Sequence, residues 1–397
     1  MIKKTAVVLM LAVLSSLLGG CWSRKEISEL AIVLGVGVDL LPNDQIRLSV
    51  QIAQPGAFYG GGGARGGGMQ TASWAVSAEG KTIDEAARYL AMRVPREIYW
   101  GHSMILVIGE KMAREGIGLI GDFFNREKEP RETMWLLVAE GEARDVLECG
   151  SILEKTSAQA AAFLTRMKTG FAVELREFAE MLASKGVQPV ATRVIVKEQG
   201  AVPCAAQEGV ATAYRQVEVS GLAIFKEDRL VGWLDDYETR GFLWLKGETF
   251  KGIITVPSPG DAYKAVSLRL RQAQTKVVPE YDGERIRFSV KIRTEADMVE
   301  QQSFEDLAKP EKIKALESLM AEEIRAMATT ALEKVQRGYG VDIFGFGDAF
   351  HRKYKEDWRR LKDRWDEEFI RAEVSVTVEA HIREIGMLTR PAFSPEE

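Results

Sequence analysis

The chain has 397 residues, of which 46% are hydrophobic and 28% are charged, and its formal net charge is -5. A chain of this length and composition can bury a core and form two or three domains, which excludes a disordered protein. Acidic and basic residues are interleaved without the basic stripe that is typical of nucleic-acid-binding proteins, and we exclude that class as well.

The first 21 residues have the pattern of a lipoprotein signal peptide. Two lysines precede an apolar run over residues 5–18, and two glycines stand before Cys21. The run is shorter than the roughly 20 apolar residues that a transmembrane helix needs. We therefore predict a signal peptide over residues 1–20 and lipidation of Cys21, with an ordinary secretory signal and an incidental cysteine as the alternative.

Lipidation would place the mature chain on the outer face of the cytoplasmic membrane. A diacylglyceryl group supplies two chains, each of which contributes roughly 0.8 kcal/mol per buried methylene, so the anchor would be durable. Cys149 and Cys204 are the remaining cysteines and allow one disulfide. We favour two unpaired thiols, because a chain of this size does not need a covalent crosslink.

A hairpin is predicted near the mature N-terminus. Residues 31–38 form a short apolar run, the turn residues Pro42-Asn43-Asp44 follow, and residues 46–52 alternate between apolar and polar side chains. Residues 60–68 are then almost pure glycine. This tract contains a G-x-G-x-x-G spacing, but it leads into an extended segment and not into a helix, so we interpret it as a surface loop without a nucleotide site.

Strands and helices then alternate, which predicts a mixed α/β domain over residues 21–205. Thr82 and Glu85 form a capping-box pattern before a helix that Pro95 ends. The other predicted elements are a strand over residues 104–108, short helices over 110–124, a strand over 133–139, helices over 156–168 and 173–184, and a strand over 190–196.

The pattern changes after residues 200–214, where we predict a domain boundary. A hairpin is predicted over residues 221–234 in a small middle domain, residues 206–264. In the C-terminal domain, residues 265–397, Asp282-Gly283 separates two alternating runs, which is a strong hairpin signal. A long helix over residues 311–336, a charged helix and a strand over residues 374–382 follow. The fold class is α+β, with an N-terminal mixed sheet and a C-terminal antiparallel sheet packed with long helices.

The chain offers little that indicates catalysis. His102, His351 and His381 lie on separate predicted elements, and no H-E-x-x-H or zinc-spaced cysteine cluster occurs. Ser103 follows Gly101-His102 but leads into an apolar strand, which favours a packing role. Adjacent carboxylates such as Asp235-Asp236 are typical of solvated surface. We therefore expect no catalytic residue, no metal and no cofactor.

An aromatic stripe runs along the predicted C-terminal charged helix. Tyr354, Trp358, Leu361, Trp365 and Phe369 recur every three or four residues on one face. Packing of this face on the sheet is the simpler interpretation. The alternative is an exposed face through which Trp358 and Trp365 dock on a partner protein.

Several short motifs, in order along the chain, resemble the Ger(x)C family, the lipoprotein C subunits of nutrient germinant receptors in bacterial endospores. The motifs are Gly20-Cys21-Trp22, Gly80-Lys81-Thr82-Ile83, His102 before Ile105-Leu106-Val107-Ile108, Gly221-Leu222-Ala223-Ile224-Phe225, Glu238-Thr239-Arg240-Gly241, Asp342-Ile343-Phe344-Gly345-Phe346-Gly347, and Trp358 with Trp365. The glycine tract and the residues after Pro189 depart from the expected pattern.

The resemblance implies a three-domain protein anchored outside the inner spore membrane. Its implied partners are an integral membrane A-type subunit and a permease-like B-type subunit, and the implied function is nutrient-triggered germination without catalysis. Cys21 is the site residue that the resemblance transfers. Two other classes stay open: an extracytoplasmic ligand-binding lipoprotein of a transporter, which needs two similar lobes around a cleft, and a lipid-anchored hydrolase, which needs a nucleophile and a base that converge.

Overall fold

The structure is a computed structural model, and it describes residues 26–54, 72–126, 129–167, 170–199, 214–248 and 252–386. Within these residues the strands form two sheets. The first sheet contains β1 (Leu30–Leu40), β2 (Ile46–Ala53), β3 (Ser73–Gly80), β4 (Glu97–Tyr99), β5 (Ile105–Gly109), β6 (Trp135–Ala139), β7 (Val190–Gln199), β8 (Tyr214–Lys226) and β9 (Arg229–Leu234). The second sheet contains β10 (Ile253–Ser258), β11 (Asp261–Tyr281), β12 (Ile286–Gln301) and β13 (Glu373–Glu384).

Eleven α-helices are found among the described residues. They are α1 (Ile83–Ala91), α2 (Glu110–Glu115), α3 (Gly118–Arg126), α4 (Ala143–Glu148), α5 (Ser157–Arg166), α6 (Leu175–Ala183), α7 (Asp236–Lys246), α8 (Pro310–Glu333), α9 (Phe346–Lys353), α10 (Lys355–Leu361) and α11 (Trp365–Arg371). The predicted α+β fold class is confirmed. The glycine tract at residues 60–68 lies outside the described residues, so its interpretation as a loop stays a prediction.

The first sheet is mixed, in the order β3-β2-β1-β5-β6-β7-β8-β9, and β4 pairs with the beginning of β1. The predicted N-terminal hairpin is present: β1 and β2 are antiparallel, Val38 lies opposite Leu48, and Asp44 adopts a left-handed turn conformation with φ of 58°. β1, β5, β6 and β7 are parallel neighbours. Parallel strands need crossover connections, and the predicted helices between them supply these connections.

Both faces of the central strands are buried, which explains the continuous apolar run of β5. On one face Ile105 and Val107 pack with α4 and α5. On the other face Leu106 and Ile108 join a core that extends to the second sheet. The first of these layers is thin because Gly35 lets α5 approach: a Cβ atom at Gly35 would lie 2.9 Å from the Cβ atom of Ala158.

The local signals for helix starts act as the sequence predicts. The Thr82 hydroxyl accepts a hydrogen bond from the Glu85 amide at 3.1 Å and so caps α1, which ends at Ala91, before Pro95. The predicted helix over residues 110–124 is interrupted between Glu115 and Gly118, as its two glycines indicate. Capping satisfies amides that have no partner in the first helical turn.

The first sheet continues across the predicted domain boundary. β7 pairs antiparallel with β8, from Val190 opposite Ile224 to Gln199 opposite Tyr214, and β8 forms the predicted hairpin with β9. The strands of the predicted middle domain therefore extend the N-terminal sheet, while β10 belongs to the second sheet. The division at residues 206 and 265 stays a prediction, and residues 200–213, which contain Cys204, lie outside the described residues.

The second sheet has the order β10-β11-β12-β13. β11 and β12 form the predicted hairpin around Gly283, whose φ of 101° favours glycine. One pairing differs from the predicted antiparallel sheet: β13 is parallel to β12. The physical reason is the connection, because the helical segment from α8 to α11 carries the chain back to the same end of the sheet at which β12 begins.

Helix α8 covers one face of the second sheet and continues into a wider π-helical turn, Lys334–Tyr339, which replaces the end of the predicted helix. The Gln336 amide in this turn donates hydrogen bonds to the carbonyls of Phe369 and Ala372 at 2.7 and 2.9 Å. Buried apolar residues of both sheets and of α8 form one continuous core. The two sheets are therefore held together by packing and not only by the connecting chain.

Candidate functional site

The motif Asp342-Ile343-Phe344-Gly345-Phe346-Gly347 forms a tight loop before α9, and Asp342 is fully buried within it. Its Oδ1 accepts hydrogen bonds from the amides of Phe344, Gly345 and Phe346 at 3.0 to 3.2 Å. Its Oδ2 accepts from the Gly347 amide at 2.7 Å and from the Trp365 indole at 3.0 Å. One carboxylate thus fixes the loop, caps the N-terminus of α9 and attaches α11 to both.

The environment of Asp342 makes ionisation less favourable than it is in water, in spite of these donors. Burial raises the pKa of Asp342 from 3.8 to about 6, more than the hydrogen bonds from Gly347, Trp365 and Phe346 lower it. Asp39 in β1 is a similar group. It accepts hydrogen bonds from the amides of Ala143 and Arg144 at the start of α4, and burial raises its pKa to about 6.

The Asp342 loop contacts the N-terminal half of the chain directly. The Gln188 amide donates to the Asp342 backbone carbonyl at 2.6 Å, and the Asp348 amide donates to the Gly186 carbonyl at 3.2 Å. Gly347 permits this approach, since a Cβ atom there would lie 2.7 Å from the Gly186 carbonyl oxygen. The loop is therefore part of the joint between the two halves.

A cleft of about 600 Å³ lies beside this joint, and we call it the junction cleft. Three parts of the chain line it: the segment that runs from just before α6 to just after it, the end of α7 with the residues that follow it, and Asp348. The lining residues are Gly170, Phe171, Ala172, Val173, Glu177, Glu180, Met181, Ser184, Val187, Leu243, Lys246, Glu248 and Asp348. Four carboxylates and one ammonium group make the lining acidic.

Several polar groups of the junction cleft contact one another. The Lys246 ammonium lies 5.6 Å from the ring centres of Phe171 and Phe242 and 3.9 Å from a Glu248 oxygen. Ser184 donates a hydrogen bond to Asp348 at 3.3 Å. The described lining includes no histidine or cysteine, so Ser184 has no base there that could activate it. The cleft offers charge and shape, and its described residues do not form a nucleophile–base pair.

The structure does not bring the histidines together. His102 is next to Tyr99, His351 stacks on Trp358, and His381 lies 3.7 Å from Glu317. The described residues contain no group of three or more histidine, cysteine or acidic side chains that could hold a metal ion. Ser103 is buried, in agreement with the packing role that we favoured for it.

The predicted anchor Cys21 lies outside the described residues, which begin at Glu26. Among the described helices, none is both long and apolar enough to cross a membrane. Cys149 is a buried free thiol, and burial raises its pKa to about 11, so it is unreactive at neutral pH. Cys204 lies outside the described residues, so the two unpaired thiols stay our prediction.

The aromatic stripe lies on α10 and α11, which a short turn separates, and it faces inward. Trp358 and Trp365 are only 5% and 4% exposed, and Phe369 is fully buried. The Trp365 ring lies 5.5 Å from Phe350 and 6.4 Å from Phe288. This agrees with the packing interpretation. An exposed Trp358 and Trp365 docking face is not present in the structure, because both indoles fill the core between α9 and the second sheet.

Reasoning from sequence did not identify Asp342 and Asp39 as buried carboxylates. Asp342 entered only as part of a motif, and Asp39 was not considered. A signal does exist for both: each is a lone aspartate within an apolar segment, and Asp342 precedes two glycines. An acidic residue is rarely buried unless donors surround it, so such a position indicates a capping role.

Together the fold and the junction define an α+β protein with two sheets that share one core. Residues 23–196 match the family model described as spore germination protein N-terminal domain. Residues 220–386 match the model described as spore germination B3/GerAC like, C-terminal. The chain therefore belongs to the family of GerAC-like spore germination proteins, and the predicted Ger(x)C membership is confirmed.

Relatives of similar length support this assignment. The chain is 28% identical to spore germination protein KC of Bacillus subtilis, with 98% of each chain covered. It is 26% identical to spore germination protein YndF of the same organism, with 92% of this chain and 93% of the relative covered. The crystal structure of the GerBC protein has the same fold, with a TM-score of 0.53, 19% identity, and coverage of 88% of this chain and 96% of that one. The family places the chain in spore germination.

Proposed function

We propose that this chain is the lipid-anchored, non-catalytic C subunit of a nutrient germinant receptor. In this function it assembles with an integral membrane A-type subunit and a permease-like B-type subunit on the outer face of the inner spore membrane. The observation that carries the proposal is the match of both halves of the chain to spore germination family models, combined with relatives that it covers almost completely.

The anchor places a geometric limit on the fold. Residues 22–29 separate Cys21 from the first residue of β1. A fully extended chain spans about 3.6 Å per residue, so the beginning of β1 would lie within about 30 Å of the lipid. β1 is a central strand of the first sheet. The tether therefore leads directly into a central strand, and the first sheet is held near the membrane surface.

The described residues of the junction cleft do not form the nucleophile–base pair that a hydrolase needs. The hydroxyl in the junction cleft is held by Asp348, and the three histidines are far apart in the sequence and contact different elements. A transporter's ligand-binding lipoprotein would need two similar lobes. The two sheets here differ in strand number and direction, which argues against that alternative.

The central test replaces the anchor. In a spore former, the Cys21→Ala variant is expected to leave the membrane fraction and to lose the nutrient response, whereas the parent carries a diacylglyceryl group by mass analysis. Cys149→Ala is the matched control, because it also removes one cysteine but should leave anchoring unchanged. An unmodified Cys21 in the parent, together with normal germination of the variant, would contradict the proposal.

Calorimetry of the purified full chain with nutrients separates the receptor subunit from the transporter alternative. We expect no tight binding in the absence of the membrane subunits. Tight binding of a nutrient by this chain alone would favour the ligand-binding lipoprotein. Mass analysis of Cys21 would not distinguish these two, since both are anchored.

A further inference from the structure

The free edges of the two sheets are protected unequally. β10, at one edge of the second sheet, has six residues and contains Pro257, which cannot donate to a neighbouring strand. At the edges of the first sheet, Arg93 donates to the Ser77 carbonyl of β3, and the Tyr339 hydroxyl contacts the Trp233 amide and carbonyl of β9 at 3.3 and 3.2 Å. Such features prevent unwanted strand pairing.

β13 is the exception. It has twelve residues without proline or glycine, and it pairs with β12 without a register shift from Glu373 to Ile382. In the described part of the chain, no strand pairs with its outer edge. The Ile382 amide points away from β12, because it donates to Glu317 at 3.0 Å. Amide directions alternate along a strand, so the amides of residues 374, 376, 378 and 380 also point outward.

The apolar side chains of β13 are incompletely covered for the same reason. Val374, Val376, Val378 and Ile382 pack against the core but are only half-buried, whereas Val290 and Ile292 in the neighbouring β12 are 0% and 1% exposed. A further strand beside β13 would supply the missing neighbours. It would also take up the outward amides and carbonyls.

We propose that this edge pairs with β13 of a second copy of the chain, antiparallel and with the two-fold axis at Val378. The strand is self-complementary in this register. Glu373 of each copy lies opposite Arg383 of the other, and Val376 lies opposite Ala380 on the core-facing side. Opposite charges in facing positions stabilise strand pairs, and a two-fold axis makes each favourable pair occur twice.

Neighbouring registers are less favourable. An axis at Glu379 would place two copies of Glu379 opposite each other, and an axis at Val376 would place Glu373 opposite Glu379. An axis at Thr377 avoids these repulsions but loses the pairing of Glu373 with Arg383. Charges therefore select Val378 among these positions, because like charges that face each other destabilise a strand pair. The ladder from Val376 to Ala380 forms without displacing Glu317.

A proline at the axis tests the pairing. In Val378→Pro the outward amide is lost, while the ladder between β13 and β12 does not use that amide. We expect the full-length lipidated chain in detergent to sediment as a dimer and Val378→Pro to weaken dimerisation at least about tenfold. Val378→Ala is the matched control, since it trims the same side chain but keeps the amide. A monomeric parent, or a dimer that the proline leaves unchanged, would overturn the proposal.

A cysteine at the axis tests the register and does not depend on the proline variant. In the proposed pair the two residues 378 have Cα atoms about 5.5 Å apart, within disulfide range. Val378→Cys is expected to crosslink in the membrane above the level of the parent. Ser375→Cys is the control, because its two copies are separated by about 20 Å along the strands. Crosslinking of Ser375→Cys but not of Val378→Cys would contradict this register.

Discussion

The two sheets bury their apolar side chains in different ways. The central strands of the first sheet are covered on both faces, so β5 is buried along its whole length. The second sheet is covered on one face only, by α8 and by aromatic residues of α9 and α11. Along β12, buried residues such as Ile292 therefore alternate with exposed ones such as Lys291. The difference shows why one sheet has continuous apolar strands while the other has alternating strands, although both belong to one core.

The open face of the second sheet is covered with charged side chains. Arg293 contacts Glu379 at 2.7 Å, Arg287 contacts Glu373 at 3.4 Å, and Arg383 pairs with Glu295. These pairs connect neighbouring strands but are exposed to water. They therefore keep the face soluble and contribute little to stability, whereas the first sheet depends on apolar contacts on both sides.

The largest effect is expected in the doubly covered sheet. Leu106→Ala should lower the free energy of unfolding by about 2–5 kcal/mol, because it leaves a cavity at a position with no exposed surface. Lys291→Ala on the open face is the matched control and should change it by less than about 0.5 kcal/mol. Urea unfolding of the purified proteins measures both. Equal losses of unfolding free energy in the two variants would contradict the proposed difference between the two sheets.

An intermediate effect is expected from Asp342. Its folded-state pKa of about 6 lies above the usual 3.8, so its contribution to stability is fully present below about pH 3.8 and is lost as pH rises through about 6. The loss amounts to about 3 kcal/mol. Asp342→Asn removes this titration. The difference in unfolding free energy between parent and variant should therefore change by about that amount between acid and neutral pH.

Two other aspartates complete this experiment. Asp39→Asn should behave like Asp342→Asn, because burial raises the pKa of Asp39 in the same way. Asp282→Asn should give a slope of opposite sign. The amides of Arg285 and Glu284 lower the pKa of this exposed group, so its contribution is present above its unfolded pKa and is lost as pH falls. Parallel pH profiles for the parent and Asp342→Asn would refute the assignment.

The smallest effect is expected on the open face itself. A double-mutant cycle that removes Arg293 and Glu379 should give a coupling free energy of about 0.2–1 kcal/mol, which decreases with added salt. Both side chains are more than half exposed. A coupling of several kcal/mol, insensitive to salt, would show that this face is shielded from water and that the contrast between the sheets is wrong.

Sequence patterns predicted those elements whose signals are local. Asp282-Gly283 predicted the hairpin of β11 and β12, and Thr82 predicted the start of α1. The parallel direction of β13 could not be predicted in this way. It depends on the path of four helices and a π-helical turn, and the alternation of the strand is the same in either direction.

The candidate site was less predictable, because it is made of residues that are distant in the chain. The junction cleft combines α6, α7 and Asp348, and no spacing in the sequence indicates this. For a similar reason, the sequence alone did not decide whether Trp358 and Trp365 are buried. A helical stripe shows which side chains share a face, but not whether the face meets the core or a partner.

The ladder between β7 and β8 has a consequence for dividing the protein. The two matched family regions end at residue 196 and begin at residue 220, so the break between them falls within a pair of strands in one sheet. A fragment that stops at this break would leave the amides and carbonyls of β7 without their neighbours. Each region that a family model matches is thus smaller than the unit that folds, and neither half is expected to be stable when expressed alone.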